Sequence, residues 1–428
     1  MCCNKFMFRA AVMALVLSLV TACGGGGGSA PAVTTVPGLP SLNALPDVPA
    51  VKNQQGIYVD AGPKDTGYNV NRLYTDITIC HPGMSTAGSA TQCQTIDHVL
   101  VDTGSTGLRI LASAMSSALN LSRQTAASGF PLLNCAQFVD NSYAWGPVAI
   151  ADVVLAGMTA TSVPIQVIGD PAYNGLASAC SVGGTALTTA AIMGANGIIG
   201  LDFFKEDCGA GCATVTHNGS YYTCTNANCT STVNTRVALA QQVQNPVSLF
   251  ATDNNGVLID LPAASLPGVP SLNGSLIFGI GTRSNNQLLA SSRVLTASAD
   301  GYVTTLLGSK ILATSFVDSG SNGLYFDFSS IPRCSGIDSL VFYCPTSQLN
   351  FSATLEGTNA QTLSVIFSVD NASGLFSTGI NHVLPTLAGN MGDATSFDWG
   401  LPFFYGRRVF VGFEGATPAV APGSFYAF

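Results

Sequence analysis

HVLVDTGSTGLRI, residues 98–110, carries an apolar run, Val99–Val101, directly into Asp102 and a turn with two glycines. The run is typical of a buried strand, and Asp followed by hydroxyl and glycine residues is typical of a tight turn. The strand therefore delivers one carboxylate into a polar turn. Asp102 is either half of a catalytic pair or a residue that only forms the turn.

The same element occurs twice in the chain. DTGSTGLRI, residues 102–110, is matched by DSGSNGLYF, residues 318–326, with five of nine positions identical. GLDFF, residues 200–204, is likewise matched by GLPFF, residues 400–404. Because both pairs follow the same order, one duplication explains them better than two coincidences. The repeat predicts a mainly β, bilobal chain with a pseudo-two-fold axis on which the acidic turns meet.

Two aspartates on such an axis have a clear chemical use. Carboxyl groups about 3 Å apart do not ionise together, so they share one proton and titrate as a coupled pair. The ionised partner can take a proton from water while the protonated partner hydrogen-bonds a substrate carbonyl. This chemistry hydrolyses an amide without a covalent intermediate.

At these residues the sequence resembles the pepsin-like aspartic proteases over most of residues 57–428, and it also resembles a set of bacterial lipoproteins of no established function. The resemblance implies a double β-barrel with a central cleft, no cofactor or metal, and an extended peptide or protein substrate. Asp102 and Asp318 match the catalytic dyad. Its supporting residues match Thr103, Gly104, Ser105, Ser319, Gly320 and Ser321.

The resemblance is incomplete at four places. Tyr143 and Trp145 are candidates for the aromatic residue that covers the substrate from a flap hairpin, but each is equally open to a role as a core anchor or an exposed turn residue. Arg109 stands where the family usually has tryptophan, and Asp398 stands where it prefers an apolar residue. Residues 24–56 contain one Lys and no basic block of the kind that restrains many of these proteases.

The N-terminus resembles a bacterial lipoprotein signal. Lys5 and Arg9 precede an apolar run, and Val20-Thr21-Ala22-Cys23 matches the pattern at which such signals are cleaved. We expect a signal peptide at residues 1–22, a lipid on Cys23 and a Gly/Pro-rich tether at residues 23–56. A plain secretory signal cleaved nearby is the alternative. The lipid would anchor the chain to the cell envelope, and Gly24 favours the outer membrane, facing the periplasm or the exterior.

The composition of the chain limits the size of its core and the kind of partner it can bind. The chain has 428 residues, of which 47% are hydrophobic and 9% charged, and this is enough for a large core. We expect an N-terminal lobe at residues 57–245 with an insertion at 205–232, a C-terminal lobe at 246–428, and a shared sheet completed by residues 408–413. The net charge of −8 and the scattered Lys and Arg exclude a nucleic-acid partner. We expect a monomer.

Ten of the 13 cysteines follow residue 23, an even number that favours disulfides in an exported protein. We expect the bridges Cys80–Cys93, Cys135–Cys180 and Cys334–Cys344. For the four cysteines of the insertion we expect one hairpin with the nested bridges Cys208–Cys229 and Cys212–Cys224, against the alternative of a zinc site that includes His217.

The sequence lacks the motifs that other hydrolytic mechanisms need. The four histidines are not accompanied by a G-x-S-x-G or H-E-x-x-H motif, which argues against serine-hydrolase and zinc-protease chemistry. The alternative from a different class is a pepsin-like lipoprotein of the cell envelope that binds a ligand, or serves as a structural module, without cutting. The sequence retains both aspartates, so we expect a membrane-tethered aspartic endopeptidase.

Overall fold

The computed structural model describes residues 52–85, 92–181, 183–216, 219–335, 341–416, 421 and 423–428. The predicted signal peptide, the lipidation site Cys23 and most of the predicted tether lie outside the described residues, as does His217. In the part of the chain that the structure describes, no helix is long and apolar enough to cross a membrane.

The described chain is built mainly from strands. They are β1 (Gln54–Val59), β2 (Tyr74–Cys80), β3 (Cys93–Asp102), β4 (Thr106–Leu111), β5 (Leu132–Gln137), β6 (Tyr143–Leu155), β7 (Met158–Ile168), β8 (Gly197–Leu201), β9 (Tyr221–Cys224), β10 (Thr232–Asn234), β11 (Gly256–Leu261), β12 (Leu272–Phe278), β13 (Val294–Thr296), β14 (Val303–Leu307), β15 (Lys310–Val317), β16 (Leu324–Phe326), β17 (Leu349–Glu356), β18 (Thr362–Val369), β19 (Ala388–Gly389), β20 (Phe397–Trp399), β21 (Arg407–Gly412) and β22 (Phe425–Ala427).

The helices are short. The α-helices are α1 (Ser178–Ser181), α2 (Ala190–Met193), α3 (Gly209–Thr214) and α4 (Ala372–Phe376). Single turns of 3-10 helix lie at Ala112–Ala114, Leu239–Gln241, Pro246–Leu249, Ser284–Asn286 and Leu401–Phe403. The frequent Gly and Pro residues favour turns over long helices, which accounts for this balance.

The first lobe is a closed barrel of six strands in the order β2-β3-β8-β4-β7-β6, with β6 pairing back onto β2. Strand β3 lies parallel to β8, so that Val101 is opposite Ile199 and Asp102 is opposite Gly200. The apolar residues of β3 and β8 are buried in the barrel. The first acidic turn therefore leaves the barrel at a fixed point, between β3 and β4.

The second lobe repeats this arrangement as a half-barrel, in the order β18-β17-β14-β15-β20-β16-β19. Strand β15 lies parallel to β20, with Val317 opposite Trp399, and β16 returns antiparallel to β20. The Phe397 ring stacks on Trp399 with the ring centres 3.9 Å apart. The same strand, turn and returning strand thus surround Asp318 as surround Asp102.

A shared sheet joins the two lobes. It runs β1-β12-β11-β21-β22-β13, and β1 also touches β2 of the barrel through Tyr58 and Tyr74. The expected shared sheet at residues 408–413 is present as β21, which pairs with β11. The predicted mainly β, bilobal, pseudo-two-fold fold is confirmed. Strand β1 begins at Gln54, inside the expected tether, because it pairs along its whole length with β12.

Five disulfides are present, and three of them are the expected ones: Cys80–Cys93, Cys135–Cys180 and Cys334–Cys344. The nested pairing expected in the insertion is wrong. The insertion is not one hairpin, since a helix precedes a short hairpin whose register places Thr232 opposite Cys224. The turn of that hairpin brings Cys229 to Cys224, and helix α3 brings Cys212 to Cys208, so the bridges are Cys208–Cys212 and Cys224–Cys229.

Candidate active site

Each acidic turn holds its aspartate by the same two hydrogen bonds. The backbone N–H of Gly104 donates to Asp102 Oδ1 at 2.8 Å, and the Ser105 hydroxyl donates to Asp102 Oδ2. In the second turn, the Gly320 N–H donates to Asp318 Oδ1 at 2.8 Å and the Ser321 hydroxyl donates to Asp318 Oδ2 at 2.9 Å. Both carboxyl groups are therefore fixed in equivalent orientations.

The two carboxyl groups lie against each other across the axis. A Cβ atom added to Gly104 would lie 2.5 Å from Asp318 Cγ, and one added to Gly320 would lie 2.5 Å from Asp102 Oδ1. Glycine is required at both positions because the opposite carboxyl occupies the space of a side chain. The Asp102 and Asp318 carboxyls therefore approach each other as closely as a shared proton needs.

Two hydroxyl groups lock the turns together. The Thr103 hydroxyl donates to the Val317 carbonyl at 2.9 Å and accepts from the Ser319 N–H at 2.9 Å. The Ser319 hydroxyl donates to the Val101 carbonyl at 2.7 Å and accepts from the Thr103 N–H at 3.1 Å. These four buried hydrogen bonds connect the ends of β3 and β15 to the opposite acidic turn. Hydrogen bonds between hydroxyl groups and the backbone therefore fix the spacing of the two carboxyls.

Electrostatics favours one proton on the pair. Burial raises the pKa of Asp318 well above its ordinary value, and the neighbouring carboxyls of Asp102 and Asp398 raise it further. Asp318 is fully buried and Asp102 is 1% exposed, so water does little to screen one from the other. The arrangement can hold one carboxylic acid and one carboxylate side by side at mildly acidic pH.

Arg109 forms a buried ion pair beside the first turn. Its guanidinium contacts Asp207 Oδ2 at 2.9 Å, and both side chains are less than a tenth exposed. Asp207 also accepts from the Tyr221 hydroxyl at 2.6 Å and from the Asn134 side chain at 3.0 Å. Burial raises the pKa of Asp207, and Arg109 opposes that shift. Arg109, which stands where the family usually has tryptophan, thus pairs with a carboxylate.

A small cavity lies between this ion pair, the first acidic turn and the β5–β6 hairpin. Its volume is about 60 Å³, enough for a few water molecules or one short side chain. Most of its lining side chains are polar: Ser105, Thr106, Arg109, Gln137, Asp207 and Ser220 line it, together with Phe138. The space beside Ser105, whose hydroxyl bonds Asp102, is therefore mostly polar.

The flap candidates Tyr143 and Trp145 are packed as anchors. Each is 8% exposed, and both belong to a buried cluster that includes the Cys135–Cys180 disulfide. The Trp145 ring N–H donates to the Tyr173 carbonyl at 2.9 Å. The hairpin instead presents Gln137 and Phe138 to the cavity beside the dyad. Tight packing explains why neither aromatic covers the site in this structure.

Asp202 is a buried acid that the sequence did not single out. It follows the apolar Gly-Leu element, accepts from the Thr106 hydroxyl at 2.6 Å and is 3% exposed. Burial raises its pKa to about 7. In the described residues, no group of three or more His, Cys, Asp or Glu side chains is arranged to hold a metal ion.

Asp202 makes the stability of the protein depend on pH. An aspartate in an unfolded chain titrates near pH 4, at about 3.9, whereas the folded pKa is about 7. The stabilisation is complete below the unfolded pKa and is lost as the pH rises through the folded one, because the folded state binds the extra proton. We expect the free energy of unfolding to fall across this window, by at most about 4 kcal/mol for this group.

Denaturant unfolding measured between about pH 4 and about pH 8 checks this expectation. Asp202→Asn should flatten the dependence, since asparagine still accepts from Thr106 but takes up no proton. Asp260→Asn, at a carboxyl that is 41% exposed, is the control and should leave the dependence as it is. The same slope in wild type and Asp202→Asn would contradict the assignment.

The fold and the site define a bilobal, mainly β protein in which two similar halves bring two buried aspartates together on the axis between them. The chain belongs to the family described as "Protein of unknown function (DUF3443)", whose model matches residues 49–428. No curated protein matches the sequence. Among solved structures, an aspartic proteinase from Irpex lacteus is similar, with 13% identity and a TM-score of 0.45, over 87% of this chain and 96% of the proteinase chain.

Proposed function

We propose that this protein is an aspartic endopeptidase, exported and tethered to the cell envelope through a lipid on Cys23. The observation that carries the proposal is the paired geometry of Asp102 and Asp318. Two buried carboxyls, in contact and held by equivalent hydrogen bonds, have a use in amide hydrolysis. The tether and the lipid rest on the N-terminal sequence alone.

The residues present supply each step of the hydrolysis. One carboxylate of the pair takes a proton from a water molecule, which then attacks the carbonyl carbon of an extended peptide. The protonated partner hydrogen-bonds the carbonyl oxygen as negative charge develops on it. The carboxyl that took the proton from water then gives a proton to the amide nitrogen as the C–N bond breaks, which releases a carboxylic acid and an amine. Burial and the neighbouring carboxyls raise the pKa of Asp318, so the coupled pair holds one proton between its two members. Ser105 and Thr103 hold Asp102 in place while its charge changes.

Cleavage of a peptide library tests the proposal. The wild-type protein is incubated with the library from about pH 3 to about pH 7, beside Asp102→Ala and Asp318→Ala, with and without a statine-type inhibitor. We expect wild-type cleavage that the inhibitor blocks and that either substitution removes. Cleavage that persists after the loss of either aspartate would contradict a catalytic role for the Asp102–Asp318 pair. If the wild type cuts nothing and binds no inhibitor, a non-catalytic binding or structural module of the envelope replaces the proposal.

The polar cavity gives a prediction about substrate preference. We expect short polar side chains next to the scissile bond to be favoured, because the Arg109–Asp207 pair and the serines lose hydrogen bonds to water when an apolar group enters. The double variant Arg109→Met with Asp207→Asn removes both charges together. It should move the preference toward apolar side chains by about tenfold, as 1–2 kcal/mol of polar desolvation implies.

The matched control replaces a second ion pair that does not line the cavity. Arg123 contacts Asp170 at 2.7 Å, and both are more exposed than Arg109 and Asp207. Arg123→Met with Asp170→Asn should leave the preference unchanged. Equal shifts in both double variants would show that the cavity does not select the side chain.

A further inference from the structure

The pseudo-two-fold symmetry is broken at one buried position behind the dyad. In the first lobe, Ile198 of β8 lies opposite Leu100 of β3. At the equivalent place in the second lobe, Asp398 of β20 lies opposite Phe316 of β15. Asp398 is 2% exposed. A carboxyl group thus replaces an apolar side chain directly behind one acidic turn and not behind the other.

The hydroxyl of Ser321 joins Asp398 to the dyad. Its Oγ lies 2.9 Å from Asp318 Oδ2 and 2.6 Å from Asp398 Oδ2. A serine hydroxyl carries one proton and can donate to only one of these two oxygens. The other oxygen must then carry a proton and donate to Ser321, because two lone pairs facing each other in a buried site repel. Asp318 and Asp398 therefore hold at least one proton between them.

Most of the charged and titratable groups around Asp398 favour keeping a proton in this region. Asp318 follows β15, Tyr325 lies opposite Asp398 on β16, and Tyr426 reaches the same region from β22. The Asp398 carboxyl contributes to raising the pKa of all three groups, after burial itself. Arg72 acts on Tyr325 in the opposite direction, and Asp102 adds to the effect on Asp318. Loss of a proton from this region is therefore opposed by several neighbouring groups.

We propose, on the basis of the proposed function, that Asp398 is a positioning residue that shares a proton with Asp318 through Ser321. The pair Asp102–Asp318 then keeps its single proton to a higher pH than two isolated carboxyls would. The chain of contacts runs from Asp398 through Ser321 and Asp318 to Asp102. Activity should accordingly extend closer to neutral pH than the dyad alone permits.

The pH profile of kcat/KM in the full chain tests this role. Asp398→Asn should move the alkaline limb to lower pH by about one unit, the size of effect expected from a neighbouring carboxyl. Ser321→Ala removes the bridge to Asp398 together with a hydrogen bond that by itself lowers the pKa of Asp318, so the limb should move less than in Asp398→Asn. Asp152→Asn, at an equally buried carboxyl that accepts from the backbone N–H groups of Gly83 and Ser162, should leave the limb within about a third of a unit. An alkaline limb that stays in place in Asp398→Asn overturns the proposal.

A second readout does not depend on activity. The slope of the unfolding free energy against pH counts the protons that the folded state holds in excess. Asp398→Asn should make this slope shallower by up to one proton above about pH 4, whereas a purely structural role would lower the stability equally at every pH. If Asp398→Asn does not fold, Asp398→Ser replaces it in this measurement. Wild type that cleaves no peptide overturns the proposed function, and an unchanged slope overturns the role of Asp398.

Discussion

Asp102→Asn and Asp318→Asn should each lower kcat/KM for peptide hydrolysis by at least about 10³-fold. Asparagine keeps the shape of the side chain; its oxygen can accept from the turn glycine, and its amide N–H group can donate to the serine oxygen. It cannot hold or release the shared proton, so neither the water nor the carbonyl oxygen is activated. The double variant should be no slower than the slower single variant, because the two carboxyls act as one unit.

Steady-state kinetics on one cleaved peptide measures this effect. Asp202→Asn is the matched control, since Asp202 is as buried as the dyad but hydrogen-bonds Thr106 rather than either dyad carboxyl. Its kcat/KM should stay within about tenfold of wild type. Losses that multiply in the double variant would show that the two aspartates act independently and do not share a proton.

Thr103→Val should destabilise the fold by roughly 2–5 kcal/mol. Valine has nearly the shape of threonine, but its substitution leaves the Val317 carbonyl and the Ser319 N–H buried without the hydroxyl that now bonds both. Each buried polar group that loses its hydrogen-bond partner lowers the free energy of unfolding by about 1–3 kcal/mol. Ser319→Ala should act in the same way through the Val101 carbonyl and the Thr103 N–H.

Chemical denaturation of the variants beside wild type gives the size of this effect. Thr78→Val is the control, because the Thr78 hydroxyl bonds only the exposed Thr95 hydroxyl, at 2.7 Å on the barrel surface, and water can replace that contact. We expect the control to lie within about 0.5 kcal/mol of wild type. Equal losses at Thr103 and Thr78 would mean that the cross-linked turns do not hold the two lobes together.

The fold was predictable because duplication leaves a signal in the sequence. The two acidic turns and the two Gly-Leu elements occur in one order, and this order corresponds to parallel strand pairs in each lobe. The start of the fold was harder to place, since Gln54 carries no pattern of its own and joins a strand only by pairing with β12 more than 200 residues later. Pairing at that distance is set by tertiary contacts rather than by local propensity.

The insertion at residues 205–232 shows why the disulfide prediction went wrong there. The two outer spacings are nearly equal, with 4 residues from Cys208 to Cys212 and 5 from Cys224 to Cys229, and this symmetry suggested one hairpin. Helix α3 takes up the first part of the segment, so the hairpin turn falls after Cys224 and each bridge closes a short loop. Spacing alone does not distinguish these pairings, since four cysteines permit three of them.

The site was predictable where each residue sits next to a repeated aspartate, and not where its partner is remote. The turn hydroxyls occupy fixed offsets from Asp102 and Asp318, so the repeat identifies them. Asp207 lies 98 positions from Arg109 and meets it only through folding of the insertion. The mismatch at Asp398 was visible in the sequence, but its link to Asp318 depends on the position of the Ser321 hydroxyl.

Infrared difference spectroscopy of wild type against Asp318→Asn tests the central claim, the shared proton, most directly. The band of a protonated carboxyl is followed as the pH rises from about 4 to about 8, with Asp102→Asn measured alongside. We expect a carboxylic-acid band from the pair that persists well above the ordinary aspartate range in wild type and is absent from Asp318→Asn. The band of Asp202, whose pKa burial raises to about 7, is common to both proteins and cancels in the difference spectrum. Two carboxyls that both ionise in the ordinary aspartate range would contradict the dyad.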